Sequence, residues 1–518
     1  MTLAAGRVIF SAMTAPVRAP VTLLELLHPI PPDQTAIVLP ETDLRIRYGA
    51  LRRQVESLAG ALAAAGIGRG DRVGMALPNG LPQIVAFLAA AMAGTAAPLN
   101  PAYKEEEFRF YLEDTNAKLL LLPAEGAEAA RRAAGERVRV LTIGMSEAGE
   151  VTLEGVAGGG GYAVPGVDDV ALILHTSGST GRPKRVPLSH ANLSISARNV
   201  ARSYALSAGD VSLCVMPLFH VHGLVASTLA TLATGGTVVV PAKFNPLAFW
   251  RIAKQYGATW YSAVPTLHQL LLARAEKDST RPAGAEHLRF IRSCSAALAP
   301  QVMSELEERF GAPVLEAYGM TEAAHQMASN PLPPGRRLPG SVGQGTDVRI
   351  SIMDEAGRHL GPGERGEVVI QGPNVTAGYE NNPEANAGSF TGGWFRTGDQ
   401  GVLDADGYLT LVGRLKELIN RGGEKISPRE IDEVLLGHPA IAEAVCFGVP
   451  HATWGEEVAA VVVLREAASE AELLGYCRER LADYKRPKQI HIADAIPRTA
   501  TGKIQRRVVA EAFAPKPS

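Results

Sequence analysis

Apolar and polar positions alternate between two periods along most of this chain. From Tyr48 to Ala65, Leu51, Val55, Leu58 and Leu62 recur at helical spacing, and Gly66 follows as a stop. Asp71-Arg-Val-Gly-Met-Ala-Leu77 is a short strand-like run, Leu81 to Ala93 a largely apolar helix, and Ala96 to Leu99 a strand again. Leu119 to Leu122, Val138 to Ile143 and Val170-Ala-Leu-Ile-Leu174 repeat the strand pattern. Ala191 to Val200 reads as a helix capped by Ser189. Strands at Val211–Met216, Gly236–Val240, Thr259–Val264, Leu288–Arg292 and Pro313–Glu316 follow, with a helix at Thr266–Ala275 between them. Strands alternating with helices predict parallel α/β sheets.

From Val348 the texture changes. Glu367–Ile370, Gly401–Leu403 and Tyr408–Val412 are β-type runs between Gly/Asp turns, which predicts a smaller β-rich subdomain. After Arg414 it changes again: Ser427 and Pro428 open a helix, Ile441–Gly448 and Val458–Leu464 are strands, and Ser469 caps a helix to Leu481. The expected fold class is therefore α/β. A tail (1–20) precedes a large domain (21–414) of parallel α/β sheets plus the β subdomain, and a small α+β domain (415–518) ends the chain.

Composition narrows the class. At 518 residues the chain exceeds the roughly 250–300 at which one core stops growing. A formal net charge of −2 gives no bulk attraction to nucleic acid or a membrane surface. No apolar run reaches the roughly 18 residues needed to span a bilayer. The four cysteines, Cys214, Cys294, Cys446 and Cys477, are scattered, which fits a reducing, cytoplasmic setting and neither a zinc site nor a disulfide framework. Residues 1–20 carry Arg7 and Arg18 without a clear apolar core or cleavage site; a disordered tail, a start at Met13 and a targeting segment all remain open.

Candidate chemistry gathers in the loops. Thr176-Ser-Gly-Ser-Thr-Gly-Arg-Pro-Lys184 lies between a strand and a capped helix. Its glycines let backbone N–H groups approach phosphate oxygens, its hydroxyls donate, and Lys184 adds charge. It is not a Walker A loop, because Gly178 and Gly181 are too close and Pro183 intervenes. A flexible surface loop is the plain alternative. Ligands of such folds bind beyond the carboxyl ends of the parallel strands. Thr176–Lys184, His220–His222, Ser293–Ala297 and Tyr318–His325 are thus expected to converge on one site.

With these stretches laid out, the chain resembles the adenylate-forming acyl-CoA synthetase superfamily from about Leu23 to Ala514. The resemblance is carried by Thr176–Lys184, Pro217-Leu-Phe-His220, Glu316-Ala-Tyr-Gly-Met-Thr-Glu322, Gly393-Trp-Phe-Arg-Thr-Gly-Asp399, Gly413-Arg-Leu-Lys-Glu-Leu-Ile419 and Pro497-Arg-Thr-Ala-Thr-Gly-Lys503, in that order. It implies a reaction in two halves. A carboxylate attacks the α-phosphate of ATP to give an acyl-adenylate and diphosphate, and CoA then displaces AMP. Bringing an anion to a polyanion calls for cations and Mg²⁺ at the transferring phosphoryl group.

The same resemblance implies the site. Thr176, Ser177, Gly178, Ser179, Thr180, Gly181 and Lys184 would hold the β- and γ-phosphates, and Thr321 the α-phosphate. Ala296, Ala297, Glu316, Ala317, Tyr318 and Gly319 would line the adenosine, with Tyr318 stacked on adenine. Asp399 and Arg414 would take the ribose, and Glu322 the Mg²⁺. Lys503 would be the catalytic lysine of the first half-reaction; a solvated loop lysine is its plain alternative. The small domain would rotate about Lys416 and bring Arg421, Gly422 and Gly423 to CoA, with Lys485, Arg486 and Lys488 near its phosphates.

The acid pocket reads as polar: His220, His222, Ser293, Ser295, His325 and Gln326. Such a lining suits a second carboxylate and would leave donors unpaired against a lipid tail. Phe219–Leu224, Phe290–Leu298 and Gly319–Pro333 resemble the oxalate–CoA ligases. That resemblance implies that His220, Ser295, His325 and Lys503 surround oxalate, with His220 also a pocket gate. His222 is as readily a satisfied structural histidine. The alternatives are a ligase for malonate or another short or aromatic acid, with Arg292 as a candidate for a distal carboxylate, and an adenylating enzyme with a carrier-protein acceptor. A nucleotide-binding sensor is the reading from a different class. A monomer or homodimer is expected. Arg185 stands where the family usually has glycine, which predicts either backbone strain or an added phosphate contact.

Overall fold

The computed structural model describes residues 19–156, 161–176, 183–275, 281–451, 453–498 and 504–513. Two largely parallel sheets form its large part. The seven-stranded sheet runs in the order Val151–Leu153, Arg139–Met145, Ala117–Pro123, Arg72–Met75, Thr95–Pro98, Val170–Thr176, Lys184–Ser189. At the centre of the nine-stranded sheet, Val211–Leu213, Trp260–Ala263, Phe290–Ser293 and Val314–Met320 lie side by side and parallel. The helix Leu81–Ala93 is buried on nearly every face. A helix apolar all round belongs inside, and one core cluster runs through it from Leu119 and Leu172 of one sheet to Val238 of the other.

The strands that the alternation predicts are present within a few residues. Two differences near the loops matter. After the Thr176–Lys184 stretch the chain does not enter a helix directly. Lys184–Ser189 returns as a strand antiparallel to Val170–Thr176, with Val186 and Leu188 turned into the core. Pro187 is tolerated because this strand is the edge of its sheet. The helix His190–Ser203 begins only then, and the Ser189 side chain accepts from the Asn192 N–H, as a cap should. The second difference is His222–Leu229, a π-helix whose every residue is buried. Its apolar run has no turn signal, and wide helical turns of this kind often mark functional sites.

Beyond Val348, Arg349–Met353, Arg365–Gln371, Phe390–Thr391, Trp394–Leu403 and Leu409–Arg414 form the expected antiparallel β unit. The final unit is a five-stranded sheet with its own core of Ile419, Ile431, Cys446, Val462 and Leu473. Pro428 stands at the start of its first helix, but Ser427 does not cap it; the Ser427 hydroxyl donates to the Val412 carbonyl instead, at 2.5 Å. Ser469 does cap Glu470–Arg480. Among the described residues no helix is long and apolar enough to cross a membrane.

Candidate active site

The nucleotide-side residues meet where the nine-stranded sheet faces the β unit. Val314–Met320 carries Glu316, Ala317, Tyr318 and Gly319, and a single 3-10 turn, Thr321–Ala323, follows. The chain then doubles back antiparallel as His325–Ser329. The return is so tight that a Cβ on Gly319 would lie 2.2 Å from the His325 carbonyl oxygen. Ala324 and His325 take φ values of 51° and 122°, and Ser295 takes 73°, conformations that non-glycine residues adopt at a cost of about 1–3 kcal/mol each. Strain of this kind clusters at functional sites.

Tyr318 and Asp399 are both buried, and the Tyr318 hydroxyl donates to the Asp399 carboxylate. Asp399 also pairs with Arg414, its cross-strand neighbour, at 3.2 Å. Burial pushes the Asp399 carboxyl upward, and Arg414 and Tyr318 oppose the rise. Glu322 is buried as well and accepts from the Tyr379 hydroxyl at 2.8 Å. Burial again pushes its carboxyl up, against the Tyr379 bond and the charges of Arg414 and Lys184. The Lys184 ammonium sits 4.4 Å from the centre of the Tyr379 ring. Burial holds the Lys184 amine below its ordinary value, and the charge of Lys416 adds to that. Lys416 lies in the exposed turn Leu415–Glu417. Glu316 accepts from the Leu298 N–H with one oxygen, its other oxygen has no partner among the described residues, and burial pushes it up to about 7. Ala296 and Ala297 are exposed on the adjoining loop.

Arg185 explains itself in this setting. Its φ is not in the left-handed region, so the strain reading fails. Its side chain lies 3.1 Å from Glu380 and reaches Asp114, while Glu380 also holds Arg72, and His175 bonds Asp114 at 3.0 Å. Arg185 thus ties the edge strand Lys184–Ser189 to the helix Glu105–Thr115 and to the segment bearing Tyr379.

The acid pocket is a network and not a row of separate side chains. His222 Nδ1 lies 3.0 Å from Ser295 Oγ, and His222 Nε2 lies 2.6 Å from Ser262 Oγ. The rings of His222 and His325 are 5.2 Å apart. Behind them is Arg292, with no exposed surface. Its guanidinium reaches Ser262 at 2.9 Å, Tyr204 at 2.8 Å and Gln326 at 3.0 Å, and approaches His222 and His325, each at 3.4 Å. Ser293 is buried with its hydroxyl unpartnered among the described residues. His222, which the sequence leaves equally open as a pocket residue or a structural histidine, is the one bonded to Ser295. His220 is half-buried two residues earlier, its carbonyl accepting from the Leu224 N–H at 2.9 Å.

In the last unit, Arg421 pairs with Glu457 at 2.6 Å and stacks over Trp454 at 5.2 Å. Gly422 and Gly423, with φ of 60° and 94°, form the two-residue turn of a hairpin between Ile419–Arg421 and Glu424–Ile426. Lys485 is held by Glu430 at 2.7 Å. Ser177, Gly178, Ser179, Thr180, Gly181 and Lys503 lie outside the described residues, as does most of the 1–20 tail. Tyr204, Ser262, Tyr379 and Glu380 escape sequence reading. For Ser262 a signal exists, a hydroxyl within the buried strand Trp260–Ala263. Tyr379 has none, since only the fold carries it to Glu322.

Among the described residues no cluster of three or more His, Cys, Asp and Glu side chains could cage a metal. A cation here would rest on Glu322, a hard oxygen donor, together with oxygens of a ligand. These parts bring the residues expected to handle a nucleotide next to the polar network expected to take the acid.

Comparison with known proteins gives the class its name. Residues 30–380 match the model of the AMP-binding enzyme family, and 430–503 match that of the AMP-binding enzyme C-terminal domain. The oxalate–CoA ligase of Arabidopsis thaliana is 48% identical over 94% of this chain and 97% of its own. The oxalate–CoA ligase of Saccharomyces cerevisiae is 45% identical over 93% and 95%. The crystal structure of ATP-bound MatB from Rhodopseudomonas palustris matches with a TM-score of 0.87 at 32% identity, covering 96% of this chain and 99% of that one. The chain belongs to the AMP-binding enzyme family, within the adenylate-forming acyl-CoA synthetases that its motifs resemble.

Proposed function

We propose that this enzyme converts oxalate, ATP and CoA to oxalyl-CoA, AMP and diphosphate through an oxalyl-adenylate. One observation carries the choice of acid: the pocket wall of His222, Ser295 and His325 stands on a buried guanidinium that has no carboxylate among its described partners. A wall of this kind favours a second negative group and penalises an apolar tail. The two oxalate–CoA ligases among the relatives support the same choice.

In this reading an oxalate oxygen attacks the α-phosphorus, and diphosphate leaves. Thr176–Lys184 holds the departing phosphates, Thr321 the α-phosphate, and Lys503 the charge that builds at the reacting oxygens. Ala296, Ala297, Glu316, Ala317, Tyr318 and Gly319 line the adenosine. Asp399, kept in place by Tyr318 and Arg414, accepts from the ribose hydroxyls. Glu322 fits Mg²⁺, whose contribution is to neutralise phosphate charge. His220 gates the pocket. The CoA thiolate then attacks the acyl carbon and AMP leaves, with Arg421, Gly422, Gly423 and Lys485 on the CoA side after the small domain, 415–518, turns about Lys416. The Glu430 carboxylate must release Lys485 for that contact.

A panel of oxalate, malonate, acetate, octanoate and a cinnamate, assayed for AMP release with and without CoA, tests this reading. Oxalate should be the best substrate and should yield a thioester. A preference for octanoate or malonate over oxalate would overturn it.

A further inference from the structure

Among its described contacts Arg292 touches none of Tyr318, Glu322 and Asp399, yet it is a fully buried charge at a strand position facing Ser262. Arginine stays protonated in proteins and has donors only. Burying such a charge without a counter-ion is costly. Its described partners are Tyr204, Ser262, Gln326, the imidazoles of His222 and His325, and the Cys294 thiol. Among the described residues no carboxylate pairs with it.

The donor inventory then decides which way each hydrogen bond runs. Because Arg292 donates to Ser262 Oγ, the Ser262 hydroxyl hydrogen turns to His222 Nε2, 2.6 Å away. Nε2 therefore accepts, and the proton of neutral His222 sits on Nδ1, where it donates to Ser295 Oγ at 3.0 Å. Ser295 accepts that bond, which leaves its own hydroxyl hydrogen for an incoming anion. His325 Nδ1 faces Arg292 and also accepts, so its proton sits on Nε2. One buried cation thus sets both imidazoles and turns a half-buried serine into a donor.

We propose that Arg292 is the positioning residue that makes the acid pocket selective for acids carrying a second negative group beside the reacting carboxylate, acting through Ser262, His222, Ser295 and His325. This rests on the ligase reading above. The incoming distal carboxylate is the counter-ion that none of Arg292's described partners supplies, and it meets the charge across a layer of oriented donors. An acid of the same size without that second charge gains the hydrogen bonds but not the charge.

The test compares oxalate with oxamate, which has the same shape and a neutral distal amide, and with acetate. Arg292→Met removes the charge. Gln326→Glu leaves Arg292 in place and gives it an internal carboxylate, since Gln326 Oε1 already lies 3.0 Å from it. Both variants should lower kcat/KM for oxalate by at least about thirtyfold, mostly through KM, the loss seen when a buried charge loses its partner. KM for ATP should hold, and kcat/KM for oxamate and acetate should fall several-fold less than that for oxalate, because they share the oriented donors but not the charge. Arg292→Lys should recover part of the oxalate preference. Gln326→Glu decides the matter if Arg292→Met does not fold. Equal losses for oxalate and oxamate in a folded variant would reduce Arg292 to a packing role and overturn the proposal. Wild-type enzyme that fails to activate oxalate at all would instead remove the ligase reading, and this proposal with it, before any variant is compared.

Discussion

Tyr379 donates a 2.8 Å hydrogen bond to Glu322 while its ring carries the Lys184 ammonium 4.4 Å from its centre. One side chain from the β unit, between Arg365–Gln371 and Phe390–Thr391, thus orients the Glu322 carboxylate proposed for Mg²⁺ and braces Lys184, at the end of the proposed phosphate loop. Replacing Tyr379 by Phe keeps the ring and removes the bond. A hydrogen bond to a charged group is worth about 1.5–3 kcal/mol, so the KM for ATP should rise on the order of tenfold with kcat less affected. Initial rates against ATP at fixed excess Mg²⁺ check this. An unchanged KM would mean that Glu322 does not need Tyr379.

Arg185→Ala should lower stability and leave the ATP KM unchanged. The substitution removes the cation that Glu380 and Asp114 share, leaving Glu380 to Arg72 and Asp114 to His175. The pair is partly screened, since 14% of the Arg185 side chain and 22% of the Glu380 side chain are exposed, so a loss of about 2 kcal/mol is expected in thermal unfolding. A lower ATP KM in the variant would restore a direct role at the phosphates.

Glu316 makes stability depend on pH. Burial raises its carboxyl to about 7 in the folded chain, against an unfolded value of about 4.3. Between these values the folded chain keeps a proton that the unfolded chain has lost. Stability therefore falls as pH rises through that window, by up to about 1.4 kcal/mol per pH unit, and levels off above it. Glu316→Gln cannot titrate, so its melting temperature relative to wild type should climb from pH 5 to pH 7. Parallel melting curves for the two proteins across that range would refute the assignment.

Gly319→Ala tests the doubling-back of the chain. The added methyl would lie 2.2 Å from the His325 carbonyl oxygen, a backbone atom that cannot swing aside. Either strand must shift, moving Thr321 and His325 together. Displacements near 1 Å cost on the order of a hundredfold in rate, so activity should fall by that factor while far-ultraviolet circular dichroism holds. Retained activity would show that the hairpin is slack.

Lys503→Ala separates the half-reactions. Adenylation, followed as diphosphate release, should fall by about a thousandfold, the scale for losing a charge at the developing oxyanion. Thioester formation from synthetic oxalyl-adenylate and CoA should persist. Loss of both halves together would contradict the assigned role.

Much of the scaffold was legible in the chain. Leu81–Ala93 declared itself a buried helix because no polar face interrupts it, and the central strands declared themselves because both of their faces are covered. The helices Glu105–Thr115 and Pro300–Phe310 were missed; both bury only one narrow stripe on a largely charged surface. The π-helix His222–Leu229 was missed because period cannot be read from a run that is buried all round.

The sequence by itself determined the order of the motifs, the residue types proposed to handle phosphate, ribose and metal, and the polar character of the proposed acid pocket. These depend on chemistry carried within short stretches. The tertiary structure alone decided which polar groups meet. It joined Tyr379 to Glu322, gave Arg185 its partners in Asp114 and Glu380, and set Arg292 behind His222 and His325. Such contacts join residues dozens to hundreds of positions apart. Their pairing follows from strand order and register, quantities that the packing of the whole core sets and that no local pattern encodes.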